Sequence, residues 1–251
     1  MRTGISIADV SFGFGQHLVI ENLCLTVPTG EMWALVGRSG VGKTTLLQVI
    51  AGLFEPSSGS VSITDRDVNG PGRIKGVVFQ EESLLGWLTV KENVLFPRHR
   101  HIEKEEGKRV EELLAAMGLA GNENDLPFSL STGMRKRVEF ARALFADDRY
   151  LLADEAFSTL DALTRRELWK LWQSIRIKEP RTGILSTHDP EEAIRLCDVV
   201  VPLIPGPPAA VGDVLRIPSY LSSLDTDKST EELFDLKEQV LSSLKAKNTQ
   251  H

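Results

Sequence analysis

Cysteine is almost missing from this chain: Cys24 and Cys197 are the only two in 251 residues. They stand far apart and in no metal-type spacing, which argues against a disulfide framework or a thiolate metal site. Isolated thiols of this kind suit a reducing compartment and read as small buried apolar residues. Long apolar runs are missing too. No stretch reaches the roughly 18 residues that a membrane-spanning helix needs. The longest candidate, Val199 to Val211, is broken by Pro202, Pro205, Pro207 and Pro208. The N-terminus alternates through Ile5, Ile7 and Val10 and reads as a strand rather than as an apolar targeting segment. A soluble protein is expected, with any membrane role supplied through a partner. Excess positive charge is also lacking. The net charge is -6, so the overall field does not favour nucleic acid or anionic lipid, and no nucleic-acid partner is expected. There is no internal repeat and no low-complexity tract.

What is present is an ordinary globular composition, 41% hydrophobic and 25% charged, long enough for one large α/β domain or two small ones. Short strand-like runs alternate with helical ones, which argues for α/β with a largely parallel sheet. Thr3 to Val10 and Leu23 to Val27 read as strands of an opening β layer, joined by Val61 to Thr64. Met32 to Val36, Gly76 to Phe79, Tyr150 to Ala153, Ile184 to Thr187 and Val199 to Leu203 are further strand candidates. Between Thr89 and Leu130 strands vanish and charge rises, and Val110, Leu113, Leu114 and Met117 form one apolar helix face ending at Gly118. This predicts a helical insert over residues 89–146 of a core domain spanning 1–215, followed by a helical extension over 216–251. In that extension Leu233, Phe234, Leu236, Val240, Leu241 and Leu244 share roughly one face, and Ser229 with Glu232 fits a capping box. That face either packs on the domain or binds a partner.

Gly37-Arg38-Ser39-Gly40-Val41-Gly42-Lys43-Thr44 fits G-x-x-x-x-G-K-[ST], between a predicted strand and a predicted helix. Glycines let backbone N–H groups close on phosphate oxygens, and the helix N-terminus adds a favourable dipole. Lys43 would bring a point charge to the β- and γ-phosphates, and the Thr44 hydroxyl, followed by Thr45, can ligate Mg²⁺. The loop points to a nucleoside triphosphate but not to the use of its energy. Tyr150-Leu151-Leu152-Ala153-Asp154-Glu155 is an apolar run ending in two acids. A strand buried on both faces would deliver Asp154 at its carboxyl end, beside the phosphate loop of a parallel sheet. Asp154 could then hold the Mg²⁺ shell, and Glu155 could orient and deprotonate an attacking water.

Leu130-Ser131-Thr132-Gly133-Met134 precedes a helix whose Val138, Ala141 and Leu144 share a face, and a Ser and Gly at a helix start form a second anion site. With Arg135, Arg137, Ala141, Arg142, Ala143 and Leu144 following, this stretch resembles the signature of the ABC ATPase family, L-S-G-G-Q with a basic helix behind it. Further motifs match in order: Phe14 in Phe12-Gly13-Phe14-Gly15, Gln80 in Val77-Val78-Phe79-Gln80, Ser158-Thr159-Leu160-Asp161, and His188 in Ser186-Thr187-His188-Asp189. The resemblance covers roughly the first 215 residues. It implies an ATPase fold of mostly parallel sheet with an antiparallel β layer and a helical insert, using ATP and Mg²⁺. It implies that Phe14 stacks on adenine and that residues 37–45, Gly37 through Thr45, hold the phosphates. Gln80 would bind Mg²⁺ and the attacking water, and His188 would contact the γ-phosphate and hold Glu155. Two subunits would pair head to tail, with Ser131, Gly133 and Asp161 acting across the dimer.

A finer resemblance lies in the run Phe79-Gln80-Glu81-Glu82-Ser83-Leu84-Leu85-Gly86-Trp87-Leu88-Thr89-Val90-Lys91-Glu92-Asn93-Val94 and in Leu160-Asp161-Ala162-Leu163-Thr164-Arg165. Both look like the importer subgroup for nitrate, aliphatic sulfonates and taurine. This implies a separate permease, an extracytoplasmic solute-binding protein, and a peripheral place at the cytoplasmic face of the inner membrane. Leu84, Leu85 and Trp87 beside Gln80 either form a groove for a permease helix or pack the insert. The chain departs from the family pattern at Thr132, Met134, Lys136 and Ala156. Thr132 stands where glycine would allow close approach to phosphate. A soluble ABC-type ATPase acting on DNA or the ribosome is the alternative, against which stand the two cysteines, the lack of heptads and the single cassette. A non-hydrolysing switch is opposed by Glu155 and His188 and favoured by Thr132.

Overall fold

The computed structural model describes residues 3–63, 66–67, 76–98, 104–206, 208–219 and 230–245. In chain order the strands and helices begin with β1 (Thr3–Phe14), β2 (His17–Pro28), β3 (Met32–Val36), α1 (Lys43–Ile50), β4 (Ser58–Ile63) and β5 (Arg66–Asp67). Next come β6 (Val77–Val78), α2 (Val90–Leu95), α3 (Lys104–Ala116), α4 (Thr132–Ala146), β7 (Tyr150–Asp154) and α5 (Ala162–Lys178). The chain ends with β8 (Thr182–Thr187), α6 (Pro190–Leu196), β9 (Val199–Ile204), β10 (Ala210–Val211), β11 (Leu215–Arg216) and α7 (Thr230–Ser243). They form two compact units, one from Met1–Arg73 with Arg181–His251, the other from Ile74–Pro180.

In the first unit β1 pairs antiparallel with β2 and β4, and β5 joins β4. Buried Ile5, Ile7, Leu25 and Val27 alternate with solvent-facing neighbours, as a sheet with one packed face requires. The hairpin runs further than the alternation predicts. Asp9 (φ 50°) and Asn22 (φ 47°) are left-handed, and the register shifts between Ile7 and Val10. Such bulges break the period of two without ending the strand. Cys24 is a correction: it is exposed, donating through Sγ to Asp9 Oδ1 at 3.1 Å, whereas Cys197 is buried as expected.

The parallel layer of this unit centres on β3, flanked by β8 and β9, with β10 and β11 antiparallel on β9. Every residue of β8 and β9 is buried, so neither strand alternates, and β9 reads as a continuous apolar run. Helix α1 ends in a Schellman turn. Gly52 (φ 73°) donates to Val49 O at 3.0 Å, and Leu53 N–H donates to Gln48 O at 2.8 Å. The C-terminal helix is packed: α7 lies on α6 and β9, Val240 is fully buried, and Lys237 Nζ meets Glu191 Oε2 at 2.9 Å. Phe234, expected on its apolar face, is instead exposed. Ser229 of the expected capping box lies outside the described residues, as does Thr64 at the end of the expected third strand.

In the second unit β6 pairs parallel with β7, aligning Val77 with Leu152 and Val78 with Ala153. Helices α2, α3 and α4 occupy the interval read as a helical insert, and α4 packs on both others. Thr89 and Glu92 form a reciprocal capping box at the start of α2. Val90, Val94, Val110, Leu114, Met117 and Val138 supply buried apolar surface. Helix α5 buries Leu168, Trp169, Trp172 and Ile175, with Phe140 of α4 stacked near both Phe157 and Trp172.

Candidate nucleotide site

The first unit carries the phosphate loop. Strand β3 ends at Val36, and Gly37 N–H donates to Thr187 O at 3.3 Å. A Cβ on Gly37 would stand 2.8 Å from Leu203 O, so the β9 backbone excludes any other residue there. Gly42 (φ 106°) is the N-cap of α1, a conformation glycine alone adopts freely, and it brings no capping side chain. The start of α1 therefore carries no side-chain cap at the position where helix N-termini favour anions. Lys43 is almost fully buried, and its Nζ donates to Gly37 O (2.8 Å) and Arg38 O (3.1 Å), which fixes the ammonium against the loop. Arg38, Ser39, Gly40 and Thr44 are exposed, Val41 is buried and Thr45 is half-buried.

His188 leaves the carboxyl end of β8, whose Thr187 aligns with Val36 of β3. The phosphate loop and His188 therefore emerge from the same ends of adjacent parallel strands, where ligands of α/β sheets bind. His188 is exposed, and Asp189 behind it caps α6 through Glu191 N–H at 2.9 Å. Phe14 at the hairpin tip is 54% exposed, with its ring edge-on to Phe12 (5.2 Å) and Phe54 (5.8 Å). A ring held by its edge against two others keeps a preset orientation.

The second unit brings together the other named residues. Asp154 ends the fully buried β7 and Gln80 follows β6, so both leave the same ends of paired parallel strands. Glu155 is buried in a left-handed conformation (φ 40°), uncommon for a residue with a Cβ. Its carbonyl accepts from both Ser158 N–H (3.1 Å) and Ser158 Oγ–H (2.7 Å), which pins that turn. Ser131 caps α4 by accepting from Met134 N–H at 3.2 Å, and Asp161 caps α5 by accepting from Leu163 and Thr164 N–H. The Thr164 hydroxyl, donating at 2.7 Å, and these N–H groups hold the Asp161 carboxyl below its usual range.

The two helix starts touch. A Cβ on Gly133 would lie 2.4 Å from Thr164 Cγ2, so glycine is needed there for α4–α5 packing, apart from any approach to phosphate. Thr132 is exposed and its hydroxyl accepts from Arg135 Nη2 at 3.3 Å. Of the proposed groove residues, Trp87 is 76% exposed, while Leu84 and Leu85 are half-buried. Sequence reading missed the polar stitching around Gln80. Lys136, Glu139 and Arg142 recur every three residues on α4 and all bond the 79–83 segment. That spacing was the available signal.

A buried strand, a glycine loop, a helix-opening lysine and a hydroxyl define a P-loop nucleotide-binding α/β protein. The family model for the ABC transporter matches residues 20–158. The chain belongs to the ABC transporter family. The nitrate import ATP-binding protein NrtC of Synechococcus elongatus is 37% identical over 238 residues, covering 92% of this chain and 36% of the relative. The chain thus spans about a third of the nitrate and bicarbonate relatives it matches. The taurine import ATP-binding protein TauB of Escherichia coli O157:H7 is 38% identical over 252 residues, covering 95% of this chain and 96% of that one. The dimeric structure of MJ0796, a bacterial ABC transporter cassette, superposes with a TM-score of 0.73 at 28% identity, covering 86% of this chain and 99% of that chain. The mixed, mostly parallel sheet with a separate antiparallel sheet is the ABC cassette fold that the sequence implied.

Proposed function

We propose that this chain binds and hydrolyses ATP and thereby drives import of a small solute, an anion such as nitrate or a sulfonate, or taurine, through a separate permease. The carrying observation is the loop geometry: a left-handed Gly42 opening α1 with no capping side chain, and Lys43 Nζ held on two loop carbonyls. Those first-turn N–H groups and that ammonium fit a triphosphate. The Thr44 hydroxyl, Gln80 amide and Asp154 carboxylate are hard oxygen donors of the kind Mg²⁺ takes. When bound, Mg²⁺ neutralises charge on the β- and γ-phosphate oxygens.

In this reading Phe14 stacks on adenine, and Gly37 through Thr45 enclose the phosphates. Glu155 accepts the proton of the attacking water, Gln80 orients that water, and His188 contacts the γ-phosphate and steadies Glu155. Ser131, Gly133 and Asp161 act on the nucleotide of a second copy or a paired ATPase subunit. The exposed Trp87, with Leu84 and Leu85, supports a permease contact beside Gln80. The chain then sits peripherally at the cytoplasmic face of the membrane, in a complex with an extracytoplasmic solute-binding protein. The names of the import relatives support the solute class.

The test has two arms. Phosphate release should fall by at least about 100-fold in Glu155→Gln, as loss of a general base predicts, and that variant should accumulate as an ATP-bound dimer. Tagged chain drawn from detergent-solubilised membranes should bring down a polytopic membrane protein, and Trp87→Ala should lose it while keeping its basal ATPase. Parent-like turnover in Glu155→Gln, or recovery without any membrane protein, overturns the reading.

A further inference from the structure

After β6 the chain runs as irregular backbone from Phe79 to Thr89, and irregular backbone must find partners for its own N–H and C=O groups. Asn93, fully buried on α2, serves the far end. Its Oδ1 accepts from Leu85 N–H at 2.8 Å, and its Nδ2 donates to Leu85, Leu88 and Thr89 carbonyls, each at 3.0 Å. The near end, which contains Gln80, is served by charges from α4. Lys136 Nζ donates to Phe79 O at 3.1 Å and reaches Gln80 O at 3.5 Å. Glu139 Oε1 accepts from Ser83 N–H at 2.6 Å and Ser83 Oγ–H at 2.9 Å. Arg142 Nη1 donates to Ser83 O at 2.7 Å, and its Nη2 bonds Ser83 Oγ.

Lys136 and Glu139 are 5% and 1% exposed, and their charged atoms meet at 2.6 Å. Burying such a pair costs several kcal/mol per ion before pairing, and apolar residues of similar size often stabilise as well or better. The pair is therefore a poor device for stability alone. It is a good device for geometry, because each charge also bonds a backbone group of the Gln80 segment. The helix that carries it opens at Ser131, five residues before Lys136. The Gln80 backbone and the signature serine are thereby tied to one rigid element.

We propose that Lys136 and Glu139, with Arg142, are positioning residues that set the backbone of Gln80 for the hydrolytic step and couple it to the helix that begins at Ser131. This rests on the proposed role of Gln80. Lys136→Met with Glu139→Gln removes both charges together, leaves neither ion unpaired, and keeps an acceptor for Ser83. The hold on the Phe79 and Gln80 carbonyls is lost, together with the charge that Glu139 presents to Arg142, while the Arg142 bonds to Ser83 remain.

The measurement is steady-state ATPase of the full chain, reported as kcat and KM, in the parent and in Gln80→Ala. A misplaced catalytic group predicts a fall in kcat of about tenfold or more with KM within about twofold, because binding and phosphate-loop contacts are untouched. In the Gln80→Ala background the same pair of substitutions should produce no further loss. Should the double variant fold poorly, Lys136→Met alone carries the test, with the same dependence on Gln80, because Glu139 then keeps Arg142 as its cation. An equal loss in both backgrounds, or a parent-like kcat in the folded double variant, overturns the positioning role while the Gln80 reading stands. A parent-like kcat in Gln80→Ala itself removes the role of Gln80, and the positioning role falls with it.

Discussion

The contact between Gly133 and Thr164 gives a prediction that reverses sign with genetic background. Replacing Gly133 by Ala places a Cβ 2.4 Å from Thr164 Cγ2, about 1 Å inside ordinary contact at 3.4 Å. Thr164 cannot simply rotate away. Its hydroxyl donates to Asp161 Oδ2 at 2.7 Å, and its branched side chain is stiff. Overpacking of this kind costs about 1–3 kcal/mol. Against it stands the better helix propensity of Ala, worth up to about 1 kcal/mol. Gly133→Ala should then destabilise by about 1–2 kcal/mol, lowering Tm by about 2–8 °C in a chain of this size. Thr164→Ser deletes the offending methyl and keeps the hydroxyl for Asp161. In that background the added Cβ keeps only ordinary contacts with Thr164, to Cβ at 3.7 Å and Oγ1 at 3.9 Å, and Gly133→Ala should stabilise by up to about 1 kcal/mol. Thermal unfolding of the four proteins completes the cycle, and a coupling of about 2 kcal/mol is expected for groups in direct contact. Equal effects of Gly133→Ala in both backgrounds would show that Thr164 does not confine that site.

Phe14→Ala should raise KM for ATP with kcat retained, since base–aromatic stacking is worth about 1–3 kcal/mol per base by alanine substitution; steady-state kinetics read the split, and an unchanged KM removes the stacking role. Burial pushes the Glu191 carboxyl up, but hydrogen bonds from Lys237 and Arg195 outweigh it and hold its pKa below the ordinary range. A depressed carboxyl contributes stability above its unfolded pKa and loses it as pH falls through the folded one. The stability difference between the parent and Glu191→Gln, followed by urea unfolding, should therefore be full at neutral pH and shrink below the ordinary glutamate range. Loss of that difference already at neutral pH would contradict the arrangement. At Glu155, φ 40° penalises any Cβ, so Gly should be about 0.5–1 kcal/mol more stable than Ala there, against their usual order. Unfolding midpoints of Glu155→Gly and Glu155→Ala decide it, and a more stable Ala variant refutes the strain.

The strand ends were legible because they obey one rule each. Met32–Val36 and Tyr150–Ala153 are short apolar runs followed by residues to which a nucleotide role is proposed. The reach of the β1–β2 hairpin was not legible, because Asp9 and Asn22 look like turn residues and act as bulges within continuous strands. The exposure of Cys24 was legible, since it alternates with buried Leu23 and Leu25, but the general tendency of cysteine to be buried pointed the other way. Phe234 lies off the packed stripe of α7, a difference that spacing alone does not resolve when six apolar residues crowd the interval from Leu233 to Leu244. Lys136 stood out only as a departure from the family pattern; lysine is rarely buried, and the backbone carbonyls it meets explain its place.

A different set of departures from local rules clusters beside groups with a proposed chemical role. Gly42 opens α1 in a left-handed conformation and offers no capping side chain, where Ser, Thr, Asp or Asn would stabilise the helix start. Glu155 keeps a Cβ at positive φ, which Ser158 pins with two bonds to its carbonyl. Lys136 and Glu139 bury charge where Met and Leu would pack more cheaply. Each departure costs stability on its own account, and each falls within two residues of a group assigned to phosphate, water or metal, or bonds directly to the backbone beside one. A chain selected for stability alone would have removed them independently. Their concentration at the strand ends of both units is what a nucleotide-driven motor requires of its sequence, since such chemistry proceeds by positioning and electrostatics rather than by covalent intermediates.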